Sequence, residues 1–491
     1  MARNPKRLGL GATAAVTALI LLLIAATGVV VWMCIDLVNN PVTPSTDPET
    51  SVSLPTVSTE PTETTVPPTT TEPPEPEKVI ATATISSQGD LLMHKPVFDT
   101  CRKSDGTYDF ESLFRYLKEY TTSYDYALAN LETTFGGDDF KYQGNPEFNC
   151  PDALADSVVD AGFDMLLTAN NHAADTRAAG ITRTVEHVRS KGLATLGTQL
   201  NNEEKKYAVV DINGIKVGMV CFTYAYSHNG DKFSLNGLAP IADEGQVNFF
   251  MNNNLDKLYT EAQQHMDDMK ADGAEATMFF IHWGIEYQTK ENATQNKIAQ
   301  RLCDMGYDVI VGGHPHVVQP VELLESTVDP DHKTVCIYSL GNAVSNQRTG
   351  ISDLFPAGYT EDGVLFTVTF EKYSDGKVYL ADADVLPTWV NMHQNNGPKE
   401  YNILPLEKAR EEEWKELFAL TDHHFTCAQR SYDRTMGIVG EGLSECRDYL
   451  SAQKAAREEY YYNLAFFPEL FATEAPETIP EPTETTLPNA A

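Results

Sequence analysis

MLLTANNHAADTRAAGITRTVEHVRSK, residues 165–191, holds in one stretch the pattern on which the fold prediction rests. Its apolar run Met165–Thr168 predicts a short buried strand. A polar stretch follows, and Ala178–Lys191 then predicts an amphipathic helix. A strand, a polar loop and a helix in this order form the repeating unit of α/β sheets.

The same alternation extends on both sides of this unit. Further apolar or β-branched runs predict strands at Val79–Ser86, Tyr126–Asn130, Lys216–Phe222, Thr277–His282, Val309–Gly312 and Val335–Ser339. Intervening stretches predict helices at Glu111–Tyr120, Asp152–Ala161, Leu255–Lys270 and Thr294–Met305. Two last runs without a helix between them predict an antiparallel pair, Val364–Phe370 and Lys377–Leu386. We therefore expect a layered α/β/α sheet domain over residues 79–390.

The segments that flank this domain differ from it in composition. Residues 400–470 are rich in charged and helix-favouring residues, which predicts a helical C-terminal extension packed on the sheet domain. In residues 39–78, 21 of 40 residues are Pro or Thr, which predicts a disordered, extended stalk. The acidic tail 473–491 has the same style, and we expect it to be disordered too.

An N-terminal apolar segment predicts a membrane anchor. Leu8–Ile35 is uncharged over 28 residues, whereas a bilayer core needs about 20. Three bases precede this segment, Arg3, Lys6 and Arg7. They place residues 1–7 in the cytoplasm and the chain after Asp36 outside. The alternatives are a cleaved signal peptide, whose apolar region is usually about 7–15 residues long, and a lipoprotein modified at Cys34. We predict a single-pass protein of the cell membrane with one transmembrane helix over residues 8–35 and an extracytoplasmic main domain.

The net charge of −34 bears on the partners. Residues 1–38 carry three bases and one acid, residues 39–78 seven acids and one base, and residues 473–491 four acids, so −26 remains for residues 79–472. Such a surface repels phosphate backbones, and we expect no nucleic-acid partner. It suits metal cations or basic partners, or it serves solubility alone.

Polar clusters directly after predicted strands are the candidate functional residues. Ligands of α/β sheets gather outside the carboxyl ends of the strands, so these clusters are expected to converge. They are Asp90 and His94 on the turn after the first strand, Glu132 in Ala129–Glu132, Asn171 and His172 in Thr168–His172, His282 and Glu286 in Phe280–Glu286, and His314 and His316 in Gly312–His316. In the last cluster, alternate residues of an extended segment can present two imidazoles to one side.

Each cluster alone has a structural alternative, since a single His at a strand end is more often structural and Asn-Leu-Glu can be a turn. Taken together, they supply imidazole, carboxylate and amide ligands. This mixture suits Zn, Mn or Fe and does not suit an all-oxygen Ca²⁺ site.

The order of motifs GDLLMH, NLE, ANNHAADTRAAGITRTVEHVRSKGLATLGT, IHWGIEY, GGHPHVVQP and YSLGN resembles the CapA (PGA_cap) family, which is linked to poly-γ-glutamate capsule synthesis. The resemblance covers residues 79–390. The family is similar in fold to calcineurin-like metallophosphoesterases, which bind two metal ions. The resemblance therefore implies a metallophosphoesterase-like fold and two divalent metals, Mn, Zn or Fe.

The resemblance also implies roles for individual residues. Metal ligands would be Asp90, His94, Glu132, Asn171, His282, His314 and His316, with Glu132 as the bridging carboxylate. His172 would be the catalytic acid or electrophile facing the substrate, beside Asn171. Asp175, Glu286 and Asn342 would orient the ligands, although Asp175 could equally cap the following helix. Two departures from the wider superfamily, the spacing of Asp90 and His94 and the Glu at position 132, leave phosphoesterase chemistry open.

Three functions remain open at this point. The first is a metal-dependent hydrolase of the cell envelope that acts on a phosphoester, an amide or the γ-linked polymer. The second is a non-catalytic subunit of polymer synthesis or export, in which the metal site organises the fold or binds polyanion. The third is an adhesion module, suggested by the stalk alone. The partners expected are the membrane, other capsule polymer synthase subunits and an anionic envelope polymer.

An extracytoplasmic location favours oxidised cysteines. We expect Cys101 to pair with Cys150 and Cys427 with Cys446. Buried thiols are expected in apolar runs, at Cys221, Cys303 and Cys336.

Overall fold

The computed structural model describes residues 78–228, 232–237, 244–355, 357–394 and 398–467, all within one compact unit. No helix in these ranges is both long and apolar enough to cross a membrane. The predicted cytoplasmic segment 1–7, transmembrane segment 8–35, stalk up to residue 77 and tail 473–491 lie outside the described residues.

The described chain alternates strands with helices along most of its length. The strands are β1 (Val79–Leu91), β2 (Tyr126–Asn130), β3 (Met165–Leu167), β4 (Ala194–Leu196), β5 (Tyr207–Ile212), β6 (Ile215–His228), β7 (Lys232–Ser234), β8 (Phe249–Met251), β9 (Ala276–His282), β10 (Val309–Gly313), β11 (Val318–Glu325), β12 (Lys333–Leu340), β13 (Asn342–Val344), β14 (Asp362–Tyr373), β15 (Val378–His393) and β16 (Glu400–Pro405). The helices are α1 (Lys95–Thr100), α2 (Glu111–Phe114), α3 (Lys118–Thr121), α4 (Ala153–Asp160), α5 (Arg177–Ser190), α6 (Asp256–Ala271), α7 (Ala293–Asp304), α8 (Trp414–Leu417) and α9 (Asp422–Phe466).

These strands form two sheets of eight strands each. The first sheet has the order β16-β15-β14-β1-β2-β3-β4, and β13 pairs with β1 off this path. Its β1, β2, β3 and β4 are parallel, whereas β14, β15 and β16 add antiparallel neighbours. The second sheet has the order β11-β12-β10-β9-β6-β5, and its central strands β6, β9, β10 and β12 are parallel.

Three apolar clusters show how the layers stack. One cluster lies between the sheets, where Leu128 and Val368 of the first sheet share a core with Met278 and Val311 of the second. A second lies between the first sheet and α1, α2 and α4, and a third lies between the second sheet and α6 and α7. The expectation of a mixed α/β fold is confirmed, but the layering is α/β/β/α and the predicted α/β/α is wrong. Hydrophobic runs identify buried strands but do not reveal which strands pair.

Several elements extend beyond their predicted bounds. β1 continues to Leu91 because its last residues pair in parallel with both β2 and β13. Asp90 therefore lies within the strand and not on the turn after it. The single helix expected over Glu111–Tyr120 is two short helices, α2 and α3.

The C-terminal extension is dominated by the 45-residue helix α9, which packs along β15 of the first sheet and the edge strand β11 of the second. Val439, Leu443, Cys446 and Leu450 repeat at helical spacing and enter the core between the sheets. At Gly442 a Cβ atom would stand 1.8 Å from the carbonyl oxygen of Val321, so the close approach of helix and strand requires glycine. Residues 400–405, assigned to the extension, form β16 instead and complete the first sheet.

Both predicted disulfides are wrong. Cys427 and Cys446 lie 19 positions apart on one continuous helix, which separates them by about 28 Å. Cys101 and Cys150 are buried and unbridged. Cys221, Cys303 and Cys336 are buried free thiols, as expected.

Candidate metal centre

The candidate residues come from the carboxyl ends of five strands in both sheets. Asp90 lies in β1, while Glu132 and Asn171 follow β2 and β3 of the first sheet. His282 ends β9, and His314 and His316 follow β10 of the second sheet. Three overlapping groups bring their ligand atoms within 4.8 Å of one another: Glu132 with His282 and His314, Glu286 with His314 and His316, and Asp90 with Glu132 and His316.

The backbone after β10 is bent and not extended. His314 has φ of +95° and His316 φ of +56°, a left-handed region in which residues with side chains are uncommon. Each such residue costs on the order of 1–3 kcal/mol and tends to occur at functional sites. Gly312 permits the turn, because a Cβ atom there would stand 2.0 Å from the carbonyl oxygen of Tyr338. The two imidazoles do share one side, but bends and not strand alternation bring them together.

Asp90 is fully buried and held from two sides. The Asn130 amide donates to Oδ1 over 2.7 Å, and His316 Nδ1 lies 3.1 Å from Oδ2. Burial by itself raises the pKa of Asp90, but the hydrogen bond and charge of His316 bring that pKa below its ordinary value. The other ring nitrogen of His316, Nε2, lies 3.8 Å from Glu132 Oε1.

Glu132 has the opposite environment. Both its carboxylate oxygens are buried without a hydrogen-bond partner among the described residues. His282 Nε2 lies 3.4 Å from its Oε1. Burial, and then the charge of Asp90, raise the pKa of Glu132 well above its ordinary value.

Two of the imidazoles around Glu132, those of His282 and His314, are kept neutral. Burial lowers the pKa of His282 to about 3 and holds the pKa of His314 well below its ordinary value. His314 Nδ1 is buried and unpartnered within the described chain, and His282 Nε2 lies 2.8 Å from Asn171 Oδ1. Neutral imidazoles and an unpaired carboxylate are the forms that bind a cation. The donor set therefore fits one or more divalent metals of the Zn, Mn or Fe type.

His94 stands apart from these groups. It occupies the N-cap position of α1 without a side-chain cap hydrogen bond and is half-buried, and no group of converging ligand atoms within the described ranges includes it. Its Nδ1 accepts a hydrogen bond from the Asn346 amide over 3.3 Å, and its ring lies edge-on to Phe148. Burial lowers the pKa of His94 to about 4. The structure thus places His94 beside the centre, with its Nδ1 already engaged.

His172 is fixed by Asp175. His172 Nδ1 lies 2.7 Å from Asp175 Oδ2, and the ring stacks edge-on against Phe148 at 4.6 Å. Asp175 also accepts from the Phe148 amide and from Asn236. The helix-cap alternative for Asp175 is not seen, since Thr176 occupies the N-cap of α5 and no side chain caps it.

The two other residues expected to orient the ligands differ from each other. Asn342 donates to the carbonyl oxygens of His316 and Thr360, over 3.2 and 2.9 Å, and so holds the turn that carries His316. Glu286 is exposed, and its carboxylate belongs to one of the converging groups, with His314 and His316. Its position allows direct ligation as well as orientation.

Other polar residues of the centre were not predicted. Asn170 donates to Asn130 Oδ1 and to the Leu131 carbonyl, which ties the loops after β2 and β3 together. Both Asn130 and Asn170 stand inside the quoted motifs, so their position was a usable signal. Two further residues, Asn236 and Tyr224, come from distant segments that carry no motif. The ring of Tyr224 lies 4.7 Å from that of His314.

Comparison with known proteins gives a consistent assignment. Residues 84–347, which include every candidate residue, match the family described as bacterial capsule synthesis protein PGA_cap. The chain is 29% identical over 269 residues to the capsule biosynthesis protein CapA of Bacillus anthracis, covering 54% of this chain and 60% of the relative. It is 27% identical over 303 residues to the PGA biosynthesis protein CapA of Bacillus subtilis strain 168, covering 60% and 70%. The chain thus spans less than two thirds of the length of the first relative.

Among solved structures, this chain is similar to the NAD nucleotidase NadN of Haemophilus influenzae. The TM-score is 0.38 and the identity is 12%, over 77% of this chain and 60% of that one. A likeness of this size does not define a common fold. The family match does not depend on it, because the matched segment makes up more than half of the 491 residues. The chain belongs to the PGA_cap family of bacterial capsule synthesis proteins.

Proposed function

We propose that this chain is a membrane-anchored protein of the cell envelope that hydrolyses a bond of a capsule polymer, or of its precursor, at a centre of two divalent metal ions. The observation that supports the proposal most is Glu132, whose two oxygens are buried and unpartnered among three imidazoles. Buried polar groups are nearly always hydrogen-bonded. An exception at the meeting point of five strand ends fits a ligand that bridges two cations.

We assign different roles to different residues of the centre. Asp90, Glu132, His282, His314 and His316 would hold the metals, with Asn171 beside His282 and Glu286 within reach of His314 and His316. Bound there, divalent metals lower the pKa of water towards neutrality and polarise a phosphoryl or acyl oxygen. Their identity, Mn, Zn or Fe, does not follow from this donor set.

His172 is the proton donor of the proposed reaction. Asp175 engages Nδ1, which leaves Nε2 as the nitrogen that can carry a proton to a leaving group. Phe148 and the Asp175 carboxylate fix the ring plane. His172 belongs to none of the converging ligand groups, so binding of the metals and proton transfer fall on different side chains.

The substrate class comes from the relatives. Their printed names assign them to capsule and PGA biosynthesis, and the proposal for this chain is poly-γ-glutamate or a related anionic polymer. The partners proposed with it are the membrane and other capsule polymer synthase subunits. An acidic surface disfavours nucleic acid as an alternative polyanion.

The decisive experiment separates metal binding from catalysis. Full-length protein in detergent is analysed for bound metal and assayed against phosphoester, amide and γ-glutamyl substrates with Mn²⁺ or Zn²⁺. His172→Ala should lower turnover by about 10²–10⁴-fold, as loss of a general acid does, and leave metal content nearly unchanged. His187→Ala is the matched control, because His187 also packs against a Phe ring, that of Phe135, outside the centre.

A non-catalytic subunit of polymer synthesis is the alternative, and the same variant tests it. If His172→Ala keeps wild-type metal, abundance and polymer output in cells, the metal centre organises the fold or binds polyanion without catalysis.

The proposed location has its own test. The basic flank and the uncharged segment 8–35 support the proposal that the main domain lies outside the cell. Protease added to intact protoplasts should cut the stalk and release a fragment that contains the sheet domain, detected by immunoblot. Full protection of the domain against protease would place it inside and end this part of the proposal.

A further inference from the structure

A second polar cleft, of 510 Å³, lies beside the metal centre. It is bounded by the first turns of α9, the segment between β13 and β14, and the end of β15. Positive and aromatic side chains dominate its lining: Arg348, Arg430, Arg434, His423, His424 and Trp389. Glu361 is the one carboxylate among the described residues that line it.

Two of the three arginines, Arg348 and Arg434, are held in place by hydrogen bonds. Arg348 donates to the Val390 carbonyl over 2.6 Å and to Glu361 over 2.8 Å. Arg434 donates twice to the buried carboxylate of Asp362, over 2.8 and 2.7 Å. These contacts hold the two guanidinium groups in fixed positions, which reduces the entropy lost when an anion binds.

The third arginine is free within the described chain. Arg430 is exposed and forms no ion pair or hydrogen bond with any described residue. His424, six residues earlier on α9, has Nδ1 buried without a partner in the same ranges, and its ring lies 6.3 Å from that of Trp389. The exposed guanidinium of Arg430, close to the Trp389 ring on the same cleft, is therefore the group most accessible to a ligand.

Charge makes this cleft unusual in the molecule. Residues 79–472 carry a net charge of −26, counted from the sequence as above. Three arginines grouped around one lining carboxylate reverse that sign locally. An anion that is repelled by the rest of the surface is attracted here.

The cleft and the metal centre share one segment. The Asn346 amide donates to His94 Nδ1 over 3.3 Å, and Gln347 accepts from Asn342 over 3.1 Å and donates to Tyr287 over 3.3 Å. The next residue, Arg348, already points into the cleft. A chain that leaves the metal centre along this segment therefore meets the arginines.

We propose that the cleft is a second binding site, which takes carboxylate groups of an extended acidic chain whose neighbouring units reach the metal centre. Guanidinium forks match carboxylates in geometry. Glu361 and Asp362 already neutralise two of the three arginines, so the cleft suits single charges spaced along a chain and not dense phosphate. Trp389 provides an apolar surface for the methylene groups between those charges. The inference rests on the proposed function for the identity of the polymer, but binding at the cleft needs no turnover.

The test measures binding to the full-length protein after EDTA treatment, with a γ-linked glutamate pentamer as the probe in calorimetry. Arg430→Gln should weaken binding by about three- to ten-fold, as expected for a partly exposed charge-assisted contact. Arg447→Gln is the matched control, since Arg447 is an exposed arginine further along the same helix, paired with Asp384. It should bind like the wild type. Tripolyphosphate, with a similar charge at higher density, should bind more weakly than the pentamer.

Three outcomes overturn the proposal. Equal affinity of the Arg430→Gln and Arg447→Gln variants removes the cleft as the site, and tighter binding of tripolyphosphate removes the carboxylate assignment. If EDTA-treated protein does not bind the pentamer, and metal-loaded protein binds it equally well with and without Arg430→Gln, the polymer binds at the metal centre alone and the proposed function is left intact. Conversely, the protein as purified could hold no metal and show no hydrolysis while Arg430→Gln still weakens binding of the pentamer. That result would refute the proposed function and keep the cleft as a binding site.

Discussion

Asp362 and Glu132 are both almost fully buried, but their surroundings differ sharply. Asp362 is 2% exposed and accepts hydrogen bonds from Ser431 and twice from Arg434. Glu132 is 0% exposed and accepts none from the described residues. Burying a charge is costly unless it is paired. Arg434 and Ser431 offset part of that cost at Asp362, where burial still raises the pKa to about 7. Glu132 has no such partner among the described residues, and its proposed role as a metal ligand rests on this difference.

The largest effect should come from breaking the satisfied pair. Asp362→Asn leaves the half-buried Arg434 without its counter-charge, and the free energy of unfolding should fall by about 3 kcal/mol. Chemical denaturation of the metal-free protein measures this. The double variant Asp362→Asn/Arg434→Met should recover most of the loss, because it removes the uncompensated charge. A single variant that loses less than about 1 kcal/mol would mean that the pair is not the structural anchor described here.

Glu132 should respond in the opposite direction. Glu132→Met removes an unpaired buried carboxylate, so the EDTA-treated variant should be more stable than the EDTA-treated wild type by about 1–3 kcal/mol. Metal affinity should fall by more than the roughly 10–100-fold that is typical for residues around a metal ligand. Denaturation and elemental analysis of one preparation give both numbers. A variant that keeps its metal, or loses stability without metal, contradicts the role given to Glu132.

His265 provides the smallest and sharpest test, because it shows that an unpartnered polar group is not always a site. Both its ring nitrogens are buried without a partner in the described part of the chain, but it packs between Tyr207 and Phe222 and away from every converging ligand group. Burial lowers the pKa of His265 to about 4.

Because the pKa of His265 is lower in the folded than in the unfolded chain, its contribution to stability is present above about pH 6.5 and is lost as the pH falls towards 4. His265→Phe should reduce that loss by on the order of 1 kcal/mol, measured as unfolding free energy at pH 7 and pH 5. An unchanged pH dependence would show that His265 is solvated.

The sequence predicted the centre better than the architecture around it. Residues that follow strands can be found from the end of an apolar run, and on this basis His282, His314 and Glu132 were expected to meet, as they do. Sheet partners cannot be found in this way, since apolar runs look alike whichever strand they pair with. The second sheet was missed for this reason, and so was the extension of β1 through Asp90.

Contacts between distant segments were equally invisible in the sequence. The resemblance implied that His94 is a metal ligand; in the structure it occupies the N-cap position of α1, where its Nδ1 lies 3.3 Å from the Asn346 amide nitrogen. Asn236 reaches Asp175 from 61 positions away, and no local pattern announces it. Short or partly polar strands such as β13 and β16 form because they pair with a neighbouring strand. Their own composition does not predict a strand.

The last long helix has a consequence for how the protein is made. Val439, Leu443 and Leu450 fill the space between two sheets whose first strand begins at Val79, so the core closes only when residues more than 350 positions apart meet. During synthesis the N-terminal strands emerge long before α9, and contacts of such long range form slowly. A ribosome or export channel therefore holds a chain with an open core until its final segment is released. A chain stopped before α9 would leave apolar surface exposed between the sheets, which makes premature termination an aggregation hazard and not merely a loss of activity.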